Sequence, residues 1–514
     1  MFLPSFSYLG VFCFDETRHG EHGPVGYTFP CAPGFLKDEN VVAPIDILDI
    51  KGVTADSRQV RPGYLFAALP GHARDGRAYI GDAVARGAGV ILAAPGTRVE
   101  AGSVRLIEDS NPRRCFAELA ATFHGRQPRV VAAVTGTNGK TSVATFIRQI
   151  WTKLGTAAGS IGTLGVTVPG MTIPGSLTTP DAEVLSRLLA DLARRGVEHV
   201  ALEASSHGLD QYRLDGVRLA AAAFTNLTRD HLDYHESVEA YRAAKERLFA
   251  EVLPMGAPAV LNADDPAFPM FRDAARGGTV WTYGIGGEDV RLAAMTPAPA
   301  GQELELEVRG QRFTGFLPLP GAFQVLNALC ALGLVVALGA EAGAAVAALA
   351  TLEGVPGRLQ RVAVRRNGAP VYVDYAHTPD ALETVLLALR PQGSGRLWVV
   401  FGCGGDRDRG KRPQMGVLAA RLADTVIVTD DNPRSENPAR IRAEILAGCP
   451  AAREIGDRAV AIQTAIADLA PGDVLLVAGK GHESGQVIGA TVVPFDDGAV
   501  CRQAVSRTDG REAQ

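Results

Sequence analysis

The run Thr135-Gly136-Thr137-Asn138-Gly139-Lys140-Thr141-Ser142 concentrates the parts needed to hold a polyphosphate. Gly136 and Gly139 let backbone N–H groups approach phosphate oxygens, and a helix starting there adds positive potential. Lys140 supplies charge, and a following hydroxyl, Thr141 or Ser142, can hold Mg²⁺. The commoner phosphate loop has a further glycine where Val134 stands, so this is a shorter G-x-x-G-K-T form. A tight glycine turn before a helix is the packing alternative, but packing gives no reason for Lys-Thr directly after the glycine. Downstream, Glu203 in Leu202-Glu203-Ala204-Ser205-Ser206-His207-Gly208-Leu209 emerges at a strand end, where a carboxylate can ligate a metal also held by phosphates. Phe224-Thr225-Asn226-Leu227-Thr228-Arg229-Asp230-His231-Leu232-Asp233-Tyr234-His235 follows another strand, and Lys245 lies on the next helix. Singly, each of these residues reads equally well as a satisfied polar group or a solvated helix face.

Such residues act together only if a scaffold brings strand ends to one edge. Val130–Val134 reads as a buried strand feeding the glycine turn and an amphipathic helix from about Thr141, the entry to a parallel α/β domain. Apolar strands at Val200–Leu202, Ala221–Phe224 and Ala259–Leu261 each end in polar residues, and ligands of parallel sheets collect at those carboxyl ends. Before a break near Gly125-Arg126-Gln127-Pro128, short strands around Tyr64–Leu69 and Gly89–Leu92 predict a small α/β domain. After Gly354-Val355-Pro356-Gly357, strands at Val371–Val373, Leu397–Phe401, Thr425–Val428 and Val474–Val477 alternate with helices, predicting a second parallel sheet. The expected fold is α/β in three domains, 46–126, 127–355 and 356–514, after an extension over 1–45.

The length of 514 residues suits about three cores. With 46% hydrophobic and 21% charged residues, composition points to a soluble globular protein. A net charge of -5 argues against a dedicated nucleic-acid binder, and no apolar run is long enough to span a bilayer. The 7 cysteines are scattered without C-x-x-C, which suits a reducing cytoplasm. Phe2–Phe14 is apolar but short, lacks a basic start and runs into Asp15 and Glu16, so it is a poor signal peptide; a flexible extension and an early start codon both account for it.

Taken in order, the phosphate loop, E-x-S-S-H-G at Glu203, the T-N-L-x-x-D-H-L-D-Y-H word ending at His235 and Ala244-Lys245-Glu246-Arg247-Leu248-Phe249 resemble the Mur ligases. Val373-Asp374-Tyr375-Ala376-His377-Thr378-Pro379, Phe401–Pro413 and Gly479-Lys480-Gly481-His482-Glu483 resemble the members that add the third peptide residue. The resemblance covers roughly Val53 to Phe495. It implies a small UDP-binding domain, a central P-loop ATPase domain and a C-terminal Rossmann-like domain. It also implies Lys140, Glu203, His231 and Lys245 as catalytic residues, with Thr141, Glu203, His231 and Lys245 serving two Mg²⁺ ions and Lys245 carbamylated. ATP would lie on Gly136–Ser142, with Asn262 and Asp264 on the adenine side, Asn327 on a helix start and Arg358, Asp374 and His377 reaching over from the third domain. At that helix start Gln324 stands where the family has Asn. Ser57 and His72, Ala73, Arg74 and Asp75 would contact uridine diphosphate, while Thr178, Thr179, Ser205, Gln211 and Arg213 would hold the muramoyl diphosphate part.

The reaction so implied is an acid–amino-acid ligation giving ADP and phosphate, with a UDP-N-acetylmuramoyl dipeptide and a free diamino acid as substrates. It belongs to cytoplasmic peptidoglycan synthesis, and the family suggests a monomer. Arg407, Asp431, Asn432, Pro433, Arg434, Gly479 and Glu483 would form the amino-acid pocket. A guanidinium at Arg434 favours meso-diaminopimelate, whose distal end carries a carboxylate that arginine can grip. L-Lysine or L-ornithine stays open, because Arg434 could instead face solvent or pair with Glu436. Folylpolyglutamate synthetases share the loop but give no reason for the first domain or the D-Y-A-H-T-P word. A non-catalytic relative should have lost a metal or phosphate group, and a signalling GTPase should carry a guanine-reading word.

Overall fold

Strands covered on both faces carry unbroken apolar runs, and those runs build the sheets of this chain. The computed structural model describes residues 50–510 apart from 72–74, 100–103, 176, 233 and 299–300. The extension over 1–45 and His72, Ala73 and Arg74 therefore lie outside the described residues. In the first sheet, β1 (Gly52–Thr54), β2 (Tyr64–Ala67), β3 (Val90–Ala93) and β4 (Arg105–Glu108) pair in parallel in that order. Helix Pro112–His124, capped by Asn111 with proline in its first turn, buries Phe116 and Ala120 against Val53, Leu65 and Leu92.

The second sheet is built around β5 (Val130–Thr135), which lies between β9 (His199–Glu203) and β10 (Ala221–Phe224), all parallel. Beyond β10 come β11 (Pro258–Asn262) and β12 (Thr279–Gly284), and then an antiparallel wing of β13 (Val290–Ala298), β14 (Gly301–Val308) and β15 (Gln311–Leu317). On the other side lie β6 (Ala158–Gly162), β7 (Gly165–Val168) and β8 (Met171–Ile173). Helices Lys140–Lys153 and Ala322–Ala337 cover one face with Phe146, Ile150, Val325 and Leu329; Leu185, Leu189, Phe249 and Phe271 cover the other.

The third sheet runs in the order β16 (Gln360–Val364), β17 (Pro370–Asp374), β21 (Val474–Ala478), β18 (Leu397–Phe401), β19 (Thr425–Val428), β20 (Arg453–Glu454), followed by a separate hairpin of β22 (Gly485–Ile488) and β23 (Thr491–Pro494). Within the six-stranded sheet, β16 pairs antiparallel with β17 and the other described pairings are parallel. Register brings the ends of β5, β9 and β10 level, with Val134 opposite Glu203 and Thr135 opposite Phe224. It does the same in the third sheet, where Asp374 lies opposite Ala478 and Phe401 opposite Val428. Among the described residues, no helix is long and apolar enough to cross a membrane.

Candidate active site

Helix Lys140–Lys153 begins on the loop itself, with Gly139 left-handed at φ +87 and an ideal Cβ there only 2.4 Å from Asn327 Oδ1. Any side chain at Gly139 would thus collide with the one residue of the Gly321–Asn327 word that reaches the loop, besides straining the backbone. Asn138 N donates to Asn226 Oδ1 at 2.9 Å, Thr225 Oγ1 donates to Asn138 O at 2.6 Å, and Thr137 N donates to Asn226 O at 2.8 Å. The T-N-L word after β10 therefore shapes the phosphate loop. Asn262 Nδ2 donates to Thr225 O at 2.8 Å, and so steadies that word in turn.

Thr141 Oγ1 donates to Glu203 Oε2 at 3.0 Å, while Thr163 N and Oγ1 donate to the same carboxylate at 2.8 and 3.1 Å. Glu203 is buried, and its oxygens beside the Thr141 hydroxyl form the hard-donor set suited to Mg²⁺ that phosphates and water also coordinate. Lys140 Nζ donates to Gly136 O and Thr137 O at 2.8 Å each, and Lys245 Nζ donates to the same Gly136 O at 2.7 Å. Burial pushes the Lys140 ammonium down and pushes that of Lys245 well below the usual lysine range, with the like charge of Lys140 adding to the effect. His231 has φ 54, a costly conformation for histidine, and burial lowers it to about 4, so it is neutral and able to ligate near neutral pH.

From the third domain, Arg358 donates through Nη2 to Thr141 Oγ1 at 3.2 Å and lies over the Tyr375 ring at 4.6 Å. Asp374 is buried, accepts from the backbone N–H groups of Leu359 and Ala376, and is pushed up to about 6 by burial. Its carboxylate thus fixes the chain that carries Arg358 into the site. His377 Nδ1 donates to Tyr375 O at 2.9 Å, since a carbonyl can only accept, which leaves Nε2 to the site. These residues close a cavity of about 260 Å³ over the loop, lined by Asn138, Gly139, Ser142, Asn262, Asn327, Arg358, Asp374 and His377. Beside it, the buried atoms Thr135 Oγ1 and Arg358 Nε have no hydrogen-bond partner among the described residues, which suits a bound polyphosphate. Asp264 instead accepts from Ile285 N and Gly286 N at 2.7 Å each, bracing the turn after β12. Gln324, the departure from the family word, accepts from Asn327 Nδ2 at 3.2 Å.

A second cavity of about 700 Å³ shares Tyr375, His377 and Asp380 with the first. It brings Thr178, Thr179, Ser205, Arg213 and His231 of the middle domain opposite Arg407, Asp431, Asn432, Arg434, Gly479 and Glu483 of the third. Arg434 is half-buried, left-handed at φ 50, and donates through Nη1 to Gly405 O at 2.7 Å. It does not pair with Glu436, whose carboxylate is taken by buried Arg412 at 2.8 Å. Gly479 must be glycine, since a Cβ there would lie 2.5 Å from Asp431 Oδ2. Pro433 is buried behind Arg434 and does not line the cavity.

A third cavity, of about 280 Å³, lies between the first and middle domains and is lined by Thr54, Asp56, Gln59, Arg113, Gln211 and Arg213, among others. Ser57 is buried and is not part of that lining, and Asp75 is half-buried and paired with Arg77. Sequence reasoning missed Arg113, Thr163 and Asp380. Only Arg113 had a visible cue, a second positive charge in the first turn of an N-capped helix.

Comparison with known proteins bears on this geometry. The chain matches the model of the Mur ligase family catalytic domain over residues 49–124, of the Mur ligase middle domain over 134–335 and of the Mur ligase glutamate ligase domain over 357–481. It is 57% identical to the UDP-N-acetylmuramoyl-L-alanyl-D-glutamate--2,6-diaminopimelate ligase of Caulobacter vibrioides, covering 90% of this chain and 96% of that one. The enzyme of the same name from Rhizobium meliloti is 55% identical, covering 93% and 98%. A solved structure of a ligase with that name superposes with a TM-score of 0.66 at 36% identity, covering 89% of this chain and 95% of that one. A folylpolyglutamate synthase from Mycobacterium tuberculosis shares the fold at TM-score 0.60 and 20% identity. Three matched domains in the family's order, with the loop, Glu203 and the D-Y-A-H-T-P word on facing sheet edges, place this chain in the Mur ligase family.

Proposed function

We infer that this protein is an ATP-dependent ligase that joins meso-2,6-diaminopimelate to the D-glutamate of UDP-N-acetylmuramoyl-L-alanyl-D-glutamate, giving ADP and phosphate in cytoplasmic peptidoglycan synthesis. The observation that supports this reading is the shared wall at Tyr375, His377 and Asp380, which sets the nucleotide cavity beside a cavity of about 700 Å³ lined by both domains. A γ-phosphate on the loop would then lie next to the cavity that takes the carboxylate it must activate. ATP converts that carboxylate to an acyl phosphate; the amine attacks it, and the tetrahedral adduct collapses to amide and phosphate. Lys140 and Arg358 bear on the migrating phosphoryl charge, while Gly136–Ser142 present backbone N–H groups. Thr141 and Glu203 would hold one Mg²⁺, and His231 and Lys245 would serve a second; the metal would supply neutralisation of phosphate charge.

The surroundings of Lys245 support its carbamylation. A neutral amine adds to CO2, forming N–COO⁻ and releasing one proton, and burial disfavours the charged form of the Lys245 amine. The carbamate, an anion, would face the Lys140 ammonium as an opposite charge. Intact-mass measurement under native conditions, with and without bicarbonate, should show one carbamate that Lys245→Arg removes. An unmodified protein with full turnover would contradict this role.

Arg434 grips the distal carboxylate of diaminopimelate, which lysine and ornithine lack. Arg434→Ala is expected to raise the diaminopimelate KM by about 10- to 100-fold, the worth of a charge-assisted hydrogen bond, while leaving the KM for ATP nearly unchanged. Steady-state kinetics checks this, and an unchanged diaminopimelate KM would remove Arg434 from the pocket.

A further inference from the structure

Lys480 is fully buried and does not line the large cavity, yet its ammonium is bonded to two residues that do. Nζ donates to Asn432 Oδ1 at 2.9 Å and to Glu483 Oε2 at 2.9 Å. Asn432 Nδ2 donates to that same Glu483 Oε2 at 2.8 Å, and Val487 N donates to Asn432 Oδ1 at 2.9 Å. The turn is closed by Glu483 N donating to Lys480 O at 2.9 Å, with Gly481 left-handed at φ 56.

We propose that Lys480 is a positioning residue for the incoming amino acid, setting from behind the cavity wall which atoms of Asn432 and Glu483 meet the substrate. The inference rests on the ligase reading above and deepens it. Two donors on Asn432 Oδ1 forbid the flipped amide, in which Nδ2 would face the ammonium and Val487 N–H. The Asn432 amide nitrogen is therefore held as a donor, one hydrogen on Glu483 and the other left for a carboxylate. Both donors on Glu483 fall on Oε2; Oε1 accepts no hydrogen bond among the described residues and is left for an ammonium. A carboxylate-binding N–H beside an ammonium-binding oxygen is the complement of one zwitterionic amino-acid end. Lys480 also offsets the adjacent carboxylates of Asp431 and Glu483, which would otherwise repel the substrate's carboxylate.

The test begins with wild-type protein and diaminopimelate, since ligation there establishes the activity independently of Lys480. If wild type ligates no amino acid, the functional reading fails and this inference with it; if it prefers another acid, that acid is used below. Lys480→Met is expected to raise the amino-acid KM by at least about tenfold while the KM values for ATP and the UDP-dipeptide stay within about twofold. In a Glu483→Gln background the same substitution should add clearly less than it does alone, because Lys480 acts in part through Glu483 and otherwise through Asn432. Direct calorimetric titration of UDP-dipeptide confirms that each variant is folded. If Lys480→Met does not fold, Lys480→Gln is read the same way. An unchanged amino-acid KM, an equal rise for all three substrates, or full multiplicative effects in the double variant would each overturn the proposal.

Discussion

Lys140→Ala is expected to cut ATP-derived phosphate release by about 10³-fold or more, the scale at which removal of a group stabilising phosphoryl-transfer charge is felt. The Lys140 ammonium is buried, and although burial disfavours its charge, Glu203 and Asp230 work in the opposite direction. It rests on the loop carbonyls of Gly136 and Thr137, within a short swing of any phosphate cradled by the loop N–H groups. Affinity for the UDP-dipeptide should change little, because Arg213, Gln211 and Arg113 line a separate cavity between the first and middle domains. Phosphate release paired with calorimetric titration separates the two effects. Near-normal turnover would remove the loop from the ATP site.

Asp497→Ala carries the largest expected stability effect. Arg458 and Asp497 are both fully buried, with Nη2 and Nε of Arg458 each 2.7 Å from the carboxylate. Arg458 also donates to Ala478 O at 2.9 Å and Asp430 O at 3.5 Å, the carbonyls just before Gly479 and Asp431. Removing Asp497 strands a buried cation, at a cost of about 3–5 kcal/mol. In a domain of this size that lowers the third-domain unfolding transition on the order of 10 °C. Calorimetric scans of the full chain would show it, and a transition unmoved by Asp497→Ala would contradict the description of this pair as an essential clamp. Because the clamp ends on two strands of the amino-acid pocket, the amino-acid KM should rise before the fold is lost.

Much of the middle site was legible because parallel strands deliver local words to one edge. Val130–Thr135, Ala221–Phe224 and Thr425–Val428 are apolar runs ended by polar residues, and each carries its motif at its carboxyl end. The antiparallel wing was not anticipated, although Gly301–Val308 alternates buried and exposed residues with the period of a half-covered strand. What a window of sequence cannot show is a distant partner. Thr163 reaches Glu203 only because β6 lies beside β9, and Asp380 meets Asn138 at 3.2 Å only because the third domain closes on the loop. Lys480 stood in a word whose neighbours drew the assignment, and its burial is visible only once β21 is packed. Ser57 is buried outside the third cavity's lining and Asp75 pairs with Arg77, surroundings that a window of sequence does not display. His231 and Arg434, left-handed without being glycine, both line the large cavity, a strain that sequence does not display.

The most direct test of the account is phosphate release from ATP with UDP-N-acetylmuramoyl-L-alanyl-D-glutamate and meso-diaminopimelate, L-lysine or L-ornithine, with each product weighed by mass spectrometry. The account predicts release that requires all three substrates, a tripeptide product with diaminopimelate and far weaker turnover with the two amino acids that lack a distal carboxylate. Preference for lysine or ornithine would contradict the role of Arg434, and the absence of any amide product would contradict the ligase itself.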